Sequence, residues 1–155
     1  MMKSKSDMAR AEYEKRPWLK WYPEGCPTDV EIPVKSIVEC YDEAVEKWGN
    51  KTAVIFYGRK FKYEELRELS LRFATALHDL GIKKGDMVAI LVPNCPQFMI
   101  AYFGILRLGA AVTSLSPLYT PREIVHQLKD SGANTVICLD LLYEKVEKAW
   151  EELKV

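Results

Sequence analysis

Met87-Val88-Ala89-Ile90-Leu91-Val92 is an unbroken apolar run bounded by Gly85-Asp86 before it and Pro93-Asn94 after it. A half-exposed strand alternates polar and apolar residues, and a core helix needs ~10 residues or more. A run this short and apolar at every position predicts a strand buried on both faces, the kind found in parallel sheets covered by helices. That one feature calls for helices on either side of it, and the surrounding sequence supplies them.

Upstream, Ser36-Ile37-Val38-Glu39 matches a capping box, in which Ser36 and Glu39 each answer an orphan N–H. Ile37, Tyr41, Ala44, Val45 and Trp48 then repeat at helical spacing up to Gly49. Thr52–Tyr57 and Lys60–Tyr63 read as two strands joined at Gly58-Arg59, a hairpin. Glu64–Leu80 reads as a helix whose buried stripe is Leu66, Leu69, Phe73, Leu77 and Leu80, with Gly81 as its stop. Downstream, Asn94-Cys95-Pro96 opens a helix, proline suiting its first turn. Its body, Phe98–Leu108, is apolar on nearly every side and is expected to be buried. Ala110–Leu115 is a further strand, and Thr120-Pro121-Arg122-Glu123 is a second capping box for a helix ending at Ser131-Gly132. Thr135–Leu139 is a strand, and Asp140 is expected to cap a last helix through Leu153.

After the hairpin, helices and strands therefore alternate with short links. This predicts an α/β fold: an irregular N-terminal segment and a β-hairpin, then a mainly parallel sheet with helices on both faces. Two regions are expected. Residues 1–35 form an irregular leader, rich in proline and aromatic side chains, that packs on the domain, with a short helix over Met8–Arg16. Residues 36–155 form the α/β subdomain.

Lys plus Arg and Asp plus Glu both number 22, so the net charge is zero. A protein that binds nucleic acid through bulk charge shows a basic excess, so no nucleic-acid partner is expected. A spanning helix needs ~20 apolar residues, and the longest apolar helix core here is about half that, so no transmembrane segment is expected. The first ten residues lack a secretory apolar core, which predicts a cytoplasmic protein. Cysteines at 26, 40, 95 and 138 form no Cys-x-x-Cys pair, and His78 and His126 match no metal spacing. The thiols read as reduced space-fillers; Cys95, near a helix start, is the best candidate for a reactive one.

No phosphate-binding glycine loop is present. Gly81-Ile82-Lys83-Lys84-Gly85-Asp86 joins a helix end to a strand start, whereas a phosphate loop leaves a strand and opens a helix. No nucleophile–base constellation is visible either.

Phe61-Lys62-Tyr63-Glu64-Glu65-Leu66 resembles the first core motif of the adenylate-forming enzymes. Leu80–Asn94 resembles their next stretch, and Leu106–Val112 with Ser116–Pro121 resembles the second core motif and the loop after it. Within that superfamily the chain looks like a long-chain fatty acid–CoA ligase. Pro93–Phe98, Pro117–Glu123, His126–Ala133 and the leader Arg16–Pro23 carry this resemblance.

The resemblance implies the N-terminal subdomain of the adenylate-forming fold, incomplete relative to the full ligase. It implies ATP, Mg²⁺ and CoA as cofactors of the full-length enzyme, with none held by this chain. The Ser/Thr/Gly-rich phosphate loop and the mobile C-terminal domain of such ligases are absent, so the chain alone is expected to be inactive. By the same resemblance Ser116, Pro117, Leu118 and Tyr143 lie near the CoA nucleotide. Arg122 and Lys129 are nearby charges at helical spacing, which usually form a solvated face. The implied partner is the remainder of the ligase, with a homo-oligomer as a further expectation and peripheral membrane contact through the fatty acid. The alternative from a different class is a stand-alone interaction or oligomerisation module derived from such a ligase.

Overall fold

The structure is a computed structural model, and it describes residues 13–153. Most of the helix expected over Met8–Arg16 lies outside the described residues. The chain divides into two compact units between Val34 and Lys35. In the first, Pro17–Trp21 forms a 3₁₀ turn entered through Arg16, whose φ of 49° is left-handed. The Arg16 guanidinium closes this unit on itself. It donates to both Asp29 carboxylate oxygens, at 3.0 and 2.8 Å, and to the Thr28 carbonyl at 2.7 Å.

The second unit begins with α1, Ile37–Trp48, and both halves of its capping box form. Glu39 N–H donates to Ser36 Oγ at 3.1 Å and Ser36 N–H to Glu39 Oε2 at 2.7 Å. A two-stranded antiparallel hairpin follows, β1 at Thr52–Phe56 and β2 at Arg59–Lys62. Its turn is Tyr57-Gly58, one residue earlier than expected, with φ of 47° and 81°. Two consecutive positive φ values match the twist of the strands. Next come α2 (Tyr63–Asp79), β3 (Met87–Leu91), α3 (Pro96–Arg107) and β4 (Ala111–Ser114). The last elements are α4 (Pro121–Ser131), β5 (Thr135–Cys138) and α5 (Tyr143–Leu153).

The strands β4, β3 and β5 form one parallel sheet in that order, so β3 is central. Val88, Ala89, Ile90 and Leu91 are fully buried, as the apolar run requires. Val88, Ile90 and Val92 face Leu77 of α2 and Ala101 and Ile105 of α3. Ala89 and Leu91 face Ile124, Val125 and Leu128 of α4 and Ala149 of α5. Handedness explains this division. The chain moves from β3 to β4, then back across β3 to β5; with right-handed crossovers the reversal puts α3 and α4 on opposite faces.

Four expectations need correction. Asp140 does not cap the last helix. It opens a 3₁₀ turn, Asp140–Leu142, with its carboxylate accepting from Leu141 N–H at 2.9 Å, and α5 starts at Tyr143. Leu80 is 80% exposed because it is the C-cap of α2, beyond the last turn that faces the sheet. In α1 only Tyr41 is buried, and Ile37 and Trp48 sit at its exposed ends. In α3 the buried residues are Pro96, Ala101, Gly104 and Ile105; the rest of its apolar surface is half-exposed, because α2 and the sheet cover only one side.

A polar corner joins α1, α2 and α3. Arg107, with a side chain 10% exposed, donates through both terminal nitrogens to the Asp42 carboxylate, Nη1 reaching Oδ2 at 2.9 Å. Its Nε reaches Ser70 Oγ at 3.3 Å. Arg67 Nε donates to Asp42 Oδ1 at 2.9 Å. Beside it, Tyr41 stacks on Phe103 at 4.1 Å and donates its hydroxyl to the Tyr63 carbonyl at 3.2 Å.

Candidate functional site

A parallel sheet presents its ligands at the carboxyl ends of its strands, where neighbouring connections leave toward opposite faces. Here the loop after β3 leaves toward α3 and the loop after β4 leaves toward α4. A cleft of about 490 Å³ opens between them. Val92, Pro93, Asn94 and Phe98 form one wall, and Ser114 through Tyr119 form the other. The predicted site residues Ser116, Pro117 and Leu118 therefore line the cleft at the carboxyl end of the sheet.

Local hydrogen bonds shape the Ser116 loop. Tyr119 N–H donates to the Ser116 carbonyl at 3.0 Å, and Leu118 N–H donates to Ser116 Oγ at 3.3 Å. These amides are thus engaged inside the turn, while the Ser116 hydroxyl keeps a hydrogen to donate. Thr120 then caps α4. Its N–H and hydroxyl both donate to Glu123 Oε2, at 2.7 and 2.8 Å, and hold that carboxyl below the usual carboxylate range. Leu118 is 88% exposed, an apolar side chain standing at the rim.

Tyr143 lies elsewhere. It is 58% exposed and lines a separate groove with Val136, Val146, Glu147, Trp150 and Glu151. The link from α5 to the cleft is instead Lys145, whose ammonium donates to the Pro117 carbonyl at 3.0 Å. Sequence reasoning missed Lys145 and Asn94. Lys145 sits one residue pair beyond Tyr143, but nothing in the sequence shows that its ammonium crosses to a loop 28 residues earlier. Arg122 borders a third cleft, on α4, with His126 and Asp130; Lys129 is exposed on the same helix. Cys95 is the N-cap of α3, makes no capping bond through its sulfur and packs half-buried against the apolar cluster. Cys138 is pushed up by burial and by the nearby Asp140 carboxylate, the opposite of an activated thiol. Among the described residues no group of three or more His, Cys, Asp or Glu side chains could hold a metal ion. Nor is any helix among them long and apolar enough to cross a membrane.

Solved structures share this architecture. A benzoate CoA ligase from Burkholderia xenovorans LB400 superposes with a TM-score of 0.71 at 28% identity, over 76% of this chain and 24% of that one. The N-terminal subdomain of Klebsiella oxytoca NpsA superposes with a TM-score of 0.66 at 28% identity, over 68% of this chain. The fold is thus that of the N-terminal subdomain of adenylate-forming enzymes. Residues 41–155 match the AMP-binding enzyme family, and the chain belongs to it. Among its relatives is the long-chain-fatty-acid–CoA ligase of Bacillus subtilis strain 168, 38% identical over 133 residues, covering 86% of this chain and 24% of that protein. The corresponding ligase of Salmonella typhimurium is 39% identical over 143 residues, covering 26% of its length. The chain thus spans about a quarter of the curated relatives it matches, and it resembles the N-terminal part of an acyl-CoA ligase.

Proposed function

We propose that this chain is the N-terminal scaffold of an AMP-forming long-chain fatty acid–CoA ligase working in the cytoplasm. The full reaction takes ATP, a fatty acid and CoA to acyl-CoA, AMP and pyrophosphate. The observation that carries this reading is the 38% identity to the Bacillus subtilis ligase, sustained over 133 residues. In this role the chain supplies the sheet end and the Ser116–Leu118 turn that border the CoA nucleotide. Lys145 holds that turn through Pro117 and brings positive charge toward a nucleotide phosphate. ATP and Mg²⁺ are bound by the remainder of the ligase, the partner this scaffold serves.

Alone, the chain has no adenylation activity. The test is ATP–pyrophosphate exchange with palmitate and Mg²⁺. No exchange is expected from the 155 residues by themselves. Exchange is expected once the chain is joined to the part of the Bacillus subtilis ligase beyond its matched segment. Exchange by the lone chain, surviving repurification, would overturn the scaffold reading, and a silent fusion would overturn the ligase assignment. A CoA titration that left Ser116 unperturbed in the active fusion would remove the nucleotide contact.

A further inference from the structure

The chain carries no net charge, yet its cations are not spread evenly. Residues 50–63, the hairpin and its two flanks, hold Lys51, Arg59, Lys60 and Lys62 and no acidic residue. The hairpin is a two-stranded sheet of its own, separate from the parallel one. Paired residues on antiparallel strands share a face, and faces alternate along each strand. Val54 pairs with Phe61, which is buried, so that face turns inward. Ile55 pairs with Lys60 on the other face, where Ile55 is 64% exposed and Lys60 is exposed as well.

Two of the four cations have local partners. Arg59 lies over the Phe61 ring, 4.3 Å from its centre, and donates to Glu65 Oε1 at 2.8 Å. Lys62 donates to Asn50 Oδ1 at 2.9 Å and to Glu64 Oε1 at 3.3 Å. The ammonium groups of Lys51 and Lys60 have no partner among the described residues. At the tip, Tyr57 occupies the first central position of the turn, at a φ of 47°. Asparagine, aspartate or glycine suits that position, because other side chains are strained in left-handed backbone. The Tyr57 ring touches Phe56 edge-on, with centroids 4.6 Å apart, but stays 96% exposed. The turn thus bears a strained tyrosine whose ring the fold barely buries.

We propose that the β1–β2 hairpin docks on the surface of an anionic lipid bilayer. Tyr57 and Ile55 enter the headgroup layer, and Lys51 and Lys60 face the lipid phosphates, with Arg59 and Lys62 beside them. A soluble polyanion would need only the cations. Here they flank exposed apolar side chains, the combination that elements lying in a membrane interface present. A tyrosine ring is apolar along its body and polar at its hydroxyl, which suits the boundary between headgroups and acyl chains. The pull on the cations acts within a Debye length, about 8 Å at physiological salt, so it falls as salt is added. This contact uses no residue of the Ser116 cleft and does not depend on the ligase reading.

The test is cosedimentation of the full 155-residue chain with vesicles of phosphatidylcholine, alone or mixed with phosphatidylserine, at low and high salt. Binding is expected to the mixed vesicles only, and it should weaken as salt rises. Lys60→Glu should weaken it about tenfold. Tyr57→Asn should weaken it about threefold or more, with stability in urea unchanged or raised, because asparagine suits the turn. Lys129→Glu, a charge reversal on α4, should leave binding unchanged. Absence of binding to the mixed vesicles overturns the proposal. So does full binding by either folded hairpin variant, which would place the contact elsewhere on the chain. Capture by heparin without capture by vesicles assigns the cations to a soluble polyanion and overturns it as well. Each of these failures leaves the scaffold role intact, since pyrophosphate exchange tests that role separately.

Discussion

Replacing Arg107 by alanine removes the centre of the corner that ties α1 to α2 and α3. Arg107 is 10% exposed and Asp42 29%, so the pair lies between a surface bridge and a fully buried one. Breaking a buried pair costs about 3–5 kcal/mol, mostly from the charge left behind. Here Arg67 still partners Asp42 and water reaches part of it, which lowers the expectation to about 2–3 kcal/mol. For a domain of this size that is a fall in Tm of roughly 8–12 °C. Asp42 also sets a pH signature. The Arg107 hydrogen bonds, and then those of Arg67, hold its carboxyl below the ordinary 3.8. Its contribution is therefore complete above the ordinary carboxylate range and is lost as pH falls through the depressed folded value. The assay is urea unfolding of wild type, Arg107→Ala, Asp42→Asn and the double variant, at pH 7 and near pH 3. The pair should show a coupling of at least about 1 kcal/mol at pH 7 that shrinks in acid. A coupling near zero at pH 7, or one unchanged in acid, would refute the reasoning.

Gly104 marks the closest approach of α2 and α3: a Cβ there would stand 3.0 Å from the Phe73 ring and 3.2 Å from the Ser70 carbonyl. Gly104→Ala should therefore destabilise by about 1 kcal/mol in urea unfolding, despite alanine's helix preference, because a backbone carbonyl cannot move aside without parting the helices. Thr120→Ala removes the cap of α4 and should cost about 1 kcal/mol by the same measurement, with Thr120→Ser restoring most of it.

The sheet was the most legible part of the molecule. The run Met87–Val92 could satisfy its backbone and bury its side chains only as a central strand, and β3 is that strand. Both capping boxes formed, because their hydrogen bonds join residues three apart and need no tertiary information. Legibility failed where distant elements decide. Composition made all of Phe98–Leu108 look buried, yet burial of a helix depends on how many neighbours cover it, and α3 has them on one side only. The corner of Asp42, Arg67 and Arg107 joins residues up to 65 positions apart, and no periodicity announces such a meeting. At the candidate site, Ser116, Pro117 and Leu118 were found through resemblance and share a cleft. Tyr143 was found the same way and faces a different groove, since the 3₁₀ turn at Asp140–Leu142 sets where α5 begins. Lys145 became visible only when its ammonium was seen to reach across to Pro117.

The open edges of the parallel sheet also bear on how this chain associates when it is alone. Stacking one copy on the next to build a fibre requires that each sheet offer a receptive rim at both ends. At the β4 rim Gln127 already engages the Ser114 carbonyl, so a β5 strand of another molecule must displace that amide to pair there. Growth through this sheet is therefore hindered at the β4 rim. A side-chain amide on a surface helix thus competes with strand addition at one end of the sheet and works against open-ended polymerisation along that axis.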